Sequence, residues 1–531
     1  MNSLEGMERR RPSPRLLMAV AALALVLAGC PEKGVECGDG LSLCGSECVD
    51  LTSEASHCGA CGVTCGSAGV CAASACQCGP GATPCGGQCV LTASDAEHCG
   101  GCGVACAEGQ VCEAGQCQAA CSLATSTRCG NGCVDLQTDP YHCGSCDTSC
   151  GGVKSCRAGV CTYDVVAACF NSGQVVGLQA GTDLKGPNAA IGERPQTVTR
   201  MQDVLLVLDA AKRVREARLS DYGTLAEAPE TGNAPNQLLV DEPYVYVINS
   251  TSNTLLVLRR RAEPTTPSRE GTRFPNGLGL EPVASVDFGA NTNPFAMAKL
   301  GTDLWVALYG NLSGDVSAGG KVARVSVANP LAPVLDPSPV VLPSAPFPGG
   351  AAAPTPTGIV VHQGNLYTAL NNLDPETYRA GGPGSLAKVN PQTRQVSLVP
   401  LGEGCLNAGW LAPMGEQLLV SCGGEALYDI HYNLVAVDKT GLVLLDARDQ
   451  VSSTYPLACP PGATDCPLSS AGRFAVVGNR IYLGDNNAGR IFVIEAVGNQ
   501  LIERRGPGSH SSILACPSNG FSLVGDVVAL P

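Results

Sequence analysis

Residues 242–258 read Glu-Pro-Tyr-Val-Tyr-Val-Ile-Asn-Ser-Thr-Ser-Asn-Thr-Leu-Leu-Val-Leu. A turn pair opens the stretch and a β-branched, aromatic run follows. A short polar turn then leads into a second apolar run. This is the chemistry of a β-hairpin. The phrase recurs: Gln202-Asp203 leads into residues 204–208, Gly301-Thr302-Asp303 into 304–308, Gly364-Asn365 into 366–370, Gly415-Glu416 into 417–420 and Gly478-Asn479 into 480–483. A spacing of roughly 40 to 65 residues is that of propeller blades with long loops. The two ends supply a seventh unit. Residues 521–530 carry the first half of the phrase and 169–178 the second half, so joining them closes the ring and leaves no open sheet edge. The expected fold is all-β: a seven-bladed β-propeller preceded by three small disulfide-rich repeats.

Those repeats come from a cysteine ruler. Cys37, Cys44, Cys48, Cys58, Cys61, Cys65, Cys71 and Cys76 are separated by 6, 3, 9, 2, 3, 5 and 4 residues. The same gaps run from Cys78 to Cys117, and again from Cys121 to Cys161 with a first gap of 7. A unit of about 40 residues buries too little apolar surface to fold alone, so four disulfides per unit are expected. Eight cysteines allow 105 pairings, and spacing does not choose among them. Zinc is the competing reading, because His57-Cys58, His98-Cys99 and His142-Cys143 each open a Cys-x-x-Cys pair. Four-ligand zinc would strand the remaining thiols in an oxidising compartment. Asp95 and Asp139 share a position suited to Asx turns, with Glu54 its counterpart in the first repeat.

The N-terminus sets the compartment. Arg9, Arg10, Arg11 and Arg15 precede an apolar run over residues 16–29, too short for a bilayer, which needs about 20 residues. Leu27-Ala28-Gly29-Cys30 resembles the bacterial lipobox, which implies a diacylglycerol on Cys30 as the mature first residue and attachment to a membrane. Pro31 departs from the inner-membrane retention signal, which directs the expectation to the outer membrane and cell surface of a Gram-negative bacterium. The net charge is −14. Residues 1–29 carry two Glu and four Arg, so the rest of the chain stands at −16, which excludes nucleic acid as a partner. The expected layout is a signal peptide over 1–29, a lipidated end and linker over 30–36, cysteine repeats over 37–76, 78–117 and 121–161, and the propeller over 165–531.

The motif from Cys48 to Cys65 resembles the cysteine-rich unit of stigma-specific secreted proteins. Similar units occur in myxobacterial-type lipoproteins ahead of a propeller, and Asp147 departs from the pattern where a Gly would stand. The resemblance implies an extracellular structural or recognition module and carries no catalytic residue across. The hairpin phrase resembles YVTN/NHL-type repeats, which implies a binding scaffold.

Propellers of this type include lactonases, so catalysis is weighed against binding. Asp209, Asn249, Asn311, Asn371 and Asp485 end second strands and form a candidate Ca²⁺ set at one channel mouth; the alternative is that they are Asx turns. His362 is expected to face solvent before a turn. Residues 263–282 and 330–356 are expected as exposed excursions, and 372–376 as a solvated loop. Cys169 with Cys516, Cys405 with Cys422, and Cys459 with Cys466 are the expected propeller disulfides. The expected function is a non-enzymatic surface lipoprotein without cofactor that binds extracellular protein or glycan. The alternative is a calcium-dependent, lactonase-like hydrolase.

Overall fold

A computed structural model describes residues 42–530, apart from 262–276, 311–318, 458–467, 508–511, 517–522 and some isolated positions. Cys30, Asn311, Cys459 and Cys466 lie outside the described residues. No helix forms among those described, and none is long and apolar enough to cross a membrane.

After residue 164 the chain builds seven sheets of four or more strands. In each sheet one strand is buried along almost its whole length: Val204–Asp209, Tyr244–Asn249, Asp303–Leu308, Asn365–Leu370, Gln417–Cys422 and Arg480–Asp485 are of this kind. The reason is period-two alternation between two cores. Leu206 and Leu208 point into the core shared with Val245 and Val247, while Leu205 and Val207 point into the core shared with Val166 and Val175. Tyr246 and Ile248 then meet Leu304 and Val306, and Trp305 and Ala307 meet Leu366 and Leu370. Tyr367 meets Leu418, Leu419 meets Ile481, and Tyr482 returns to Val165 and Val176. Each such strand is apolar on both faces because a sheet packs on each side of it.

The ring closes on one strand from the far end of the chain. Val524–Ala529 pairs antiparallel with Val165–Cys169, which also pairs with Gln174–Gln179. Cys169 and Cys516 are bonded across this closure, and Cys405 is bonded to Cys422.

The cysteine repeats share one connectivity. Numbering the cysteines of a repeat one to eight, the bonds run first to third, second to fifth, fourth to seventh and sixth to eighth. The second repeat shows Cys78–Cys89, Cys85–Cys102, Cys99–Cys112 and Cys106–Cys117. The third matches it bond for bond, and the first does so over the three bonds described. The cysteine triads that come within metal-binding distance of one another are therefore cross-linked, which removes the zinc reading for them. Asp95 and Asp139 make the expected Asx turns, accepting from the amides of Glu97 and Tyr141 at 2.8 Å each. Where repeats two and three meet, Gly132 approaches so closely that a Cβ would lie 2.0 Å from the Ser94 carbonyl oxygen.

Glu113 joins the same two repeats. Its carboxylate accepts from the Ser122 hydroxyl and from the amides of Ser122 and Leu123, and these bonds hold its pKa down to about 2. A depressed folded-state pKa stabilises above the ordinary value of 4.5 and is lost as pH falls through the folded value. Amide-exchange protection at Ser122 and Leu123 is therefore expected to hold at pH 5 and collapse towards pH 2. Protection unchanged across that range would contradict the role given to Glu113.

The third repeat is fixed to the propeller. Lys154 Nζ donates to the Ser220 carbonyl at 2.6 Å, and Arg157 pairs with Asp164 at 2.7 Å. Tyr163 stacks on Tyr222 at 5.3 Å, and Val70 and Val153 pack on Leu184. These contacts gather where the closing strand ends, since Ala529 pairs with Val165.

Candidate functional site at the channel mouth

Seven strands line the channel: Pro195–Met201, Pro235–Asp241, Pro294–Leu300, Pro356–His362, Ala408–Met414, Ala471–Val477 and Val524–Ala529. In every one the pairing register shifts just after the first residue. A bulge frees its extra residue from the ladder and re-aims it. The second residues of the seven strands are Gln196, Asn236, Phe295, Thr357, Gly409, Gly472 and Gly525, and all seven line one cavity of about 600 Å³. In two sheets the following residue, Trp410 or Arg473, joins them. Four of the strands open with Pro, which lacks an amide donor and tolerates the start of a strand beside a bulge.

The ring is bonded from sheet to sheet. Gln196 Nε2 donates to Asn236 Oδ1 at 2.9 Å, and Asn236 Nδ2 donates to the Phe295 carbonyl at 3.0 Å. The Thr357 hydroxyl donates to the Ala408 carbonyl at 2.7 Å, and the Ser470 hydroxyl to that of Gly423 at 2.8 Å. Arg473 reaches across the channel. Its guanidinium lies 4.7 Å over the Trp410 ring, donates to Thr197 Oγ1 at 3.0 Å and to the Asn236 carbonyl at 3.4 Å, and stands 3.7 Å from Asp526. Asp526 is fully buried beneath it; burial pushes its pKa up, against the opposing pull of Arg473 and of the amides of Val198 and Val527.

The mouth is also stapled. Phe170 and Leu523 line it beside the Cys169–Cys516 bond, and Asn407 and Gly423 line it beside Cys405–Cys422. It opens at the start of the inner strands, whereas the cysteine repeats dock where those strands end, so mouth and repeats occupy opposite faces.

The calcium set fares differently residue by residue. Asn371 does line the mouth and accepts from Thr357 at 3.3 Å. Asp209 is buried and already occupied by the amides of Glu193, Arg194 and Ala211 and by Arg215 Nε at 2.8 Å. Burial would raise its pKa, but these donors outweigh it and hold the carboxylate low. Asn249 Oδ1 accepts from the Gly232 amide at 2.9 Å, and Asp485 Oδ1 from Ser470 at 3.0 Å and Asn487 at 2.9 Å. The described oxygens of Asp209, Asn249 and Asp485 thus accept from the chain's own backbone amides. Asp209→Ala is accordingly expected to cost about 3 kcal/mol by stranding Arg215. The loss should be equal with and without millimolar calcium in urea titrations. Because the folded-state pKa is depressed, it should shrink as pH falls below the ordinary value of 3.8. A loss that grows in calcium would return Asp209 to the metal reading.

Other expectations are corrected. His362 is buried, its Nε2 3.1 Å from the Glu416 carbonyl and its ring edge-on to Tyr367. Asn372 and Leu373 are buried at the foot of their loop. Leu278, Leu280, Val340 and Leu342 belong to inter-sheet cores, so the two Pro-rich excursions are shorter than their composition suggests.

The stigma-specific STIG1-like protein family matches residues 113–164. No curated protein matches the chain. Among solved structures, a computationally designed protein, Ika8, covers 68% of this chain and 93% of its own at 10% identity and a TM-score of 0.42. AztD from Citrobacter koseri, in its apo form, covers 69% and 97% at 15% identity and 0.41. A putative 6-phosphogluconolactonase from Bacteroides uniformis covers 66% and 96% at 10% identity and 0.46.

Proposed function

We propose that the chain is an exported, lipid-anchored binding protein of the bacterial outer surface. Cys30 carries the lipid, the stapled repeats form a base under the propeller, and the mouth on the opposite face holds a glycan or protein segment without turning it over. One observation carries the binding assignment. All seven inner strands spend a bulge on the same cavity, and its described lining is amide, hydroxyl, aromatic, aliphatic and glycine with a single Arg, and contains no Asp, Glu or His. Such a lining orients a ligand, whereas a hydrolase or a metal site draws on ionisable acid–base or ligand groups. The many disulfides agree with export to an oxidising compartment.

Gly409 offers the test, because a Cβ there would meet nothing closer than Ser421 Oγ at 3.6 Å. Gly409→Phe should plug the mouth and leave thermal unfolding unchanged. Wild-type protein should be retained by members of an immobilised oligosaccharide and peptide panel that the variant ignores. Intact mass of the membrane-extracted protein should show acylation at Cys30, with Cys30→Ser released to the soluble fraction. Calcium-stimulated turnover of a lactone panel, abolished by Gly409→Phe, would replace this reading with the hydrolase. Identical retention of wild type and variant would remove the mouth as the site.

A further inference from the structure

We infer that the ligand of the mouth is an acidic saccharide whose carboxylate sits on Arg473 and whose hydroxyls meet the surrounding amides. This rests on the binding reading above and names its ligand. Arg473 is the one ionisable side chain of the mouth among the described residues. A lone cation at the floor of a cavity favours an anion there and disfavours a cation.

The guanidinium is held before any ligand arrives. The Trp410 face, Thr197 Oγ1 and the Asn236 carbonyl fix its plane, and the bonds to the last two come from Nη1 and Nη2. A guanidinium has five N–H donors in a rigid fork, so these two bonds leave donors for a planar carboxylate. Its counter-charge lies on the protein side. Asp526 is buried beneath it, 3.7 Å from Nη1, and burial raises its pKa against the pull of Arg473.

The body of the ligand is read from what surrounds the cation. Gln196, Asn236, Asn371 and Asn486 line the same cavity. A carboxamide offers a donor and an acceptor side by side, as a vicinal pair of sugar hydroxyls does. Phe295, stacked on Tyr309 at 5.4 Å, adds a fixed aromatic face for the C–H surface of a pyranose ring. A cavity of about 600 Å³ accommodates two or three such rings.

Calorimetric titration with tetragalacturonate and with its methyl ester separates the charge from the sugar. The acid is expected to bind about tenfold more tightly than the ester, or better, as for a charge-assisted hydrogen-bonded pair. The double variant Arg473→Gln with Asp526→Asn removes both buried charges and should abolish that difference. Its thermal midpoint shows whether it folds. Arg473→Lys, which keeps the charge and loses the fork, should retain only part of the difference and serves if the double variant does not fold. Equal binding of acid and ester overturns the inference but leaves the binding reading intact. So does an acid preference that survives in the double variant. Binding of neither sugar also overturns the inference, while the binding reading still stands or falls with Gly409→Phe.

Discussion

Replacing Cys169 and Cys516 together by Ala is expected to cost about 5 kcal/mol, against about 3 kcal/mol for the Cys405 and Cys422 pair. Cross-links restrain the unfolded chain in proportion to the logarithm of the loop they close. The first bond spans 347 residues and the second 17. The first also guards the place where, among the described residues, the ring depends on a strand from the far end of the sequence. Val524–Ala529 is held by its ladder to Val165–Cys169 and by the cores on either side, and the bond ties the segment before it to the end of the partner strand. Without it, the C-terminal strand can leave while the other sheets stay paired. Urea titration should show the lower midpoint, and amide exchange should rise first in residues 524–529. The ordering of the two pairs matters more than either figure: a smaller loss for Cys169 and Cys516 than for Cys405 and Cys422 would mean that the closure is secured by packing alone.

The parts of the propeller legible in the sequence are those with the simplest environment. The second strand of each sheet has protein on both faces, so it reads as an unbroken apolar run after a turn, as Val204–Asp209 does. The inner strands carry no such run because their environment changes along their length. Pro195–Met201 begins at the cavity with Pro and Gln, breaks its alternation at a bulge and only then enters the core. The binding candidates sit at that break, so Gln196, Asn236, Phe295, Thr357, Trp410 and Arg473 carried no periodic signal. One signal was present: Pro195-Gln196, Pro235-Asn236, Pro294-Phe295 and Pro356-Thr357 each stand a fixed short distance before a turn-and-strand phrase. The acidic and amide residues ending the second strands are conspicuous in the sequence as oxygen ligands, while the backbone amides that claim them are not. Asp209, with three amides and an Arg on its carboxylate, shows how completely a turn consumes such a group.

The cysteine repeats invert the relation. Their periodicity was plain, yet their connectivity was not, because the bonds interleave: Cys129–Cys146 encloses Cys133 and Cys143, each of which pairs outside that loop. Interleaved short loops mean that no one bond can be removed without loosening its neighbours. Replacing Cys143 and Cys156 by Ala is therefore expected to unfold the third repeat. The bond closes a separation of 13 residues, worth about 3 kcal/mol in the unfolded chain, and both sulfurs are buried, so a cavity adds about 1 kcal/mol more. The unit has little with which to meet that loss, since the core around this bond is made of Cys143, Cys150, Cys156 and Cys161 themselves. With it should go the attachment to the propeller through Lys154 and Arg157. Limited proteolysis should cut within residues 121–161 of the variant and spare the propeller, whose inter-sheet cores are built from other residues. Intact third repeats after the substitution, or after full reduction of the wild type, would show that packing against the propeller and not sulfur holds this region in shape.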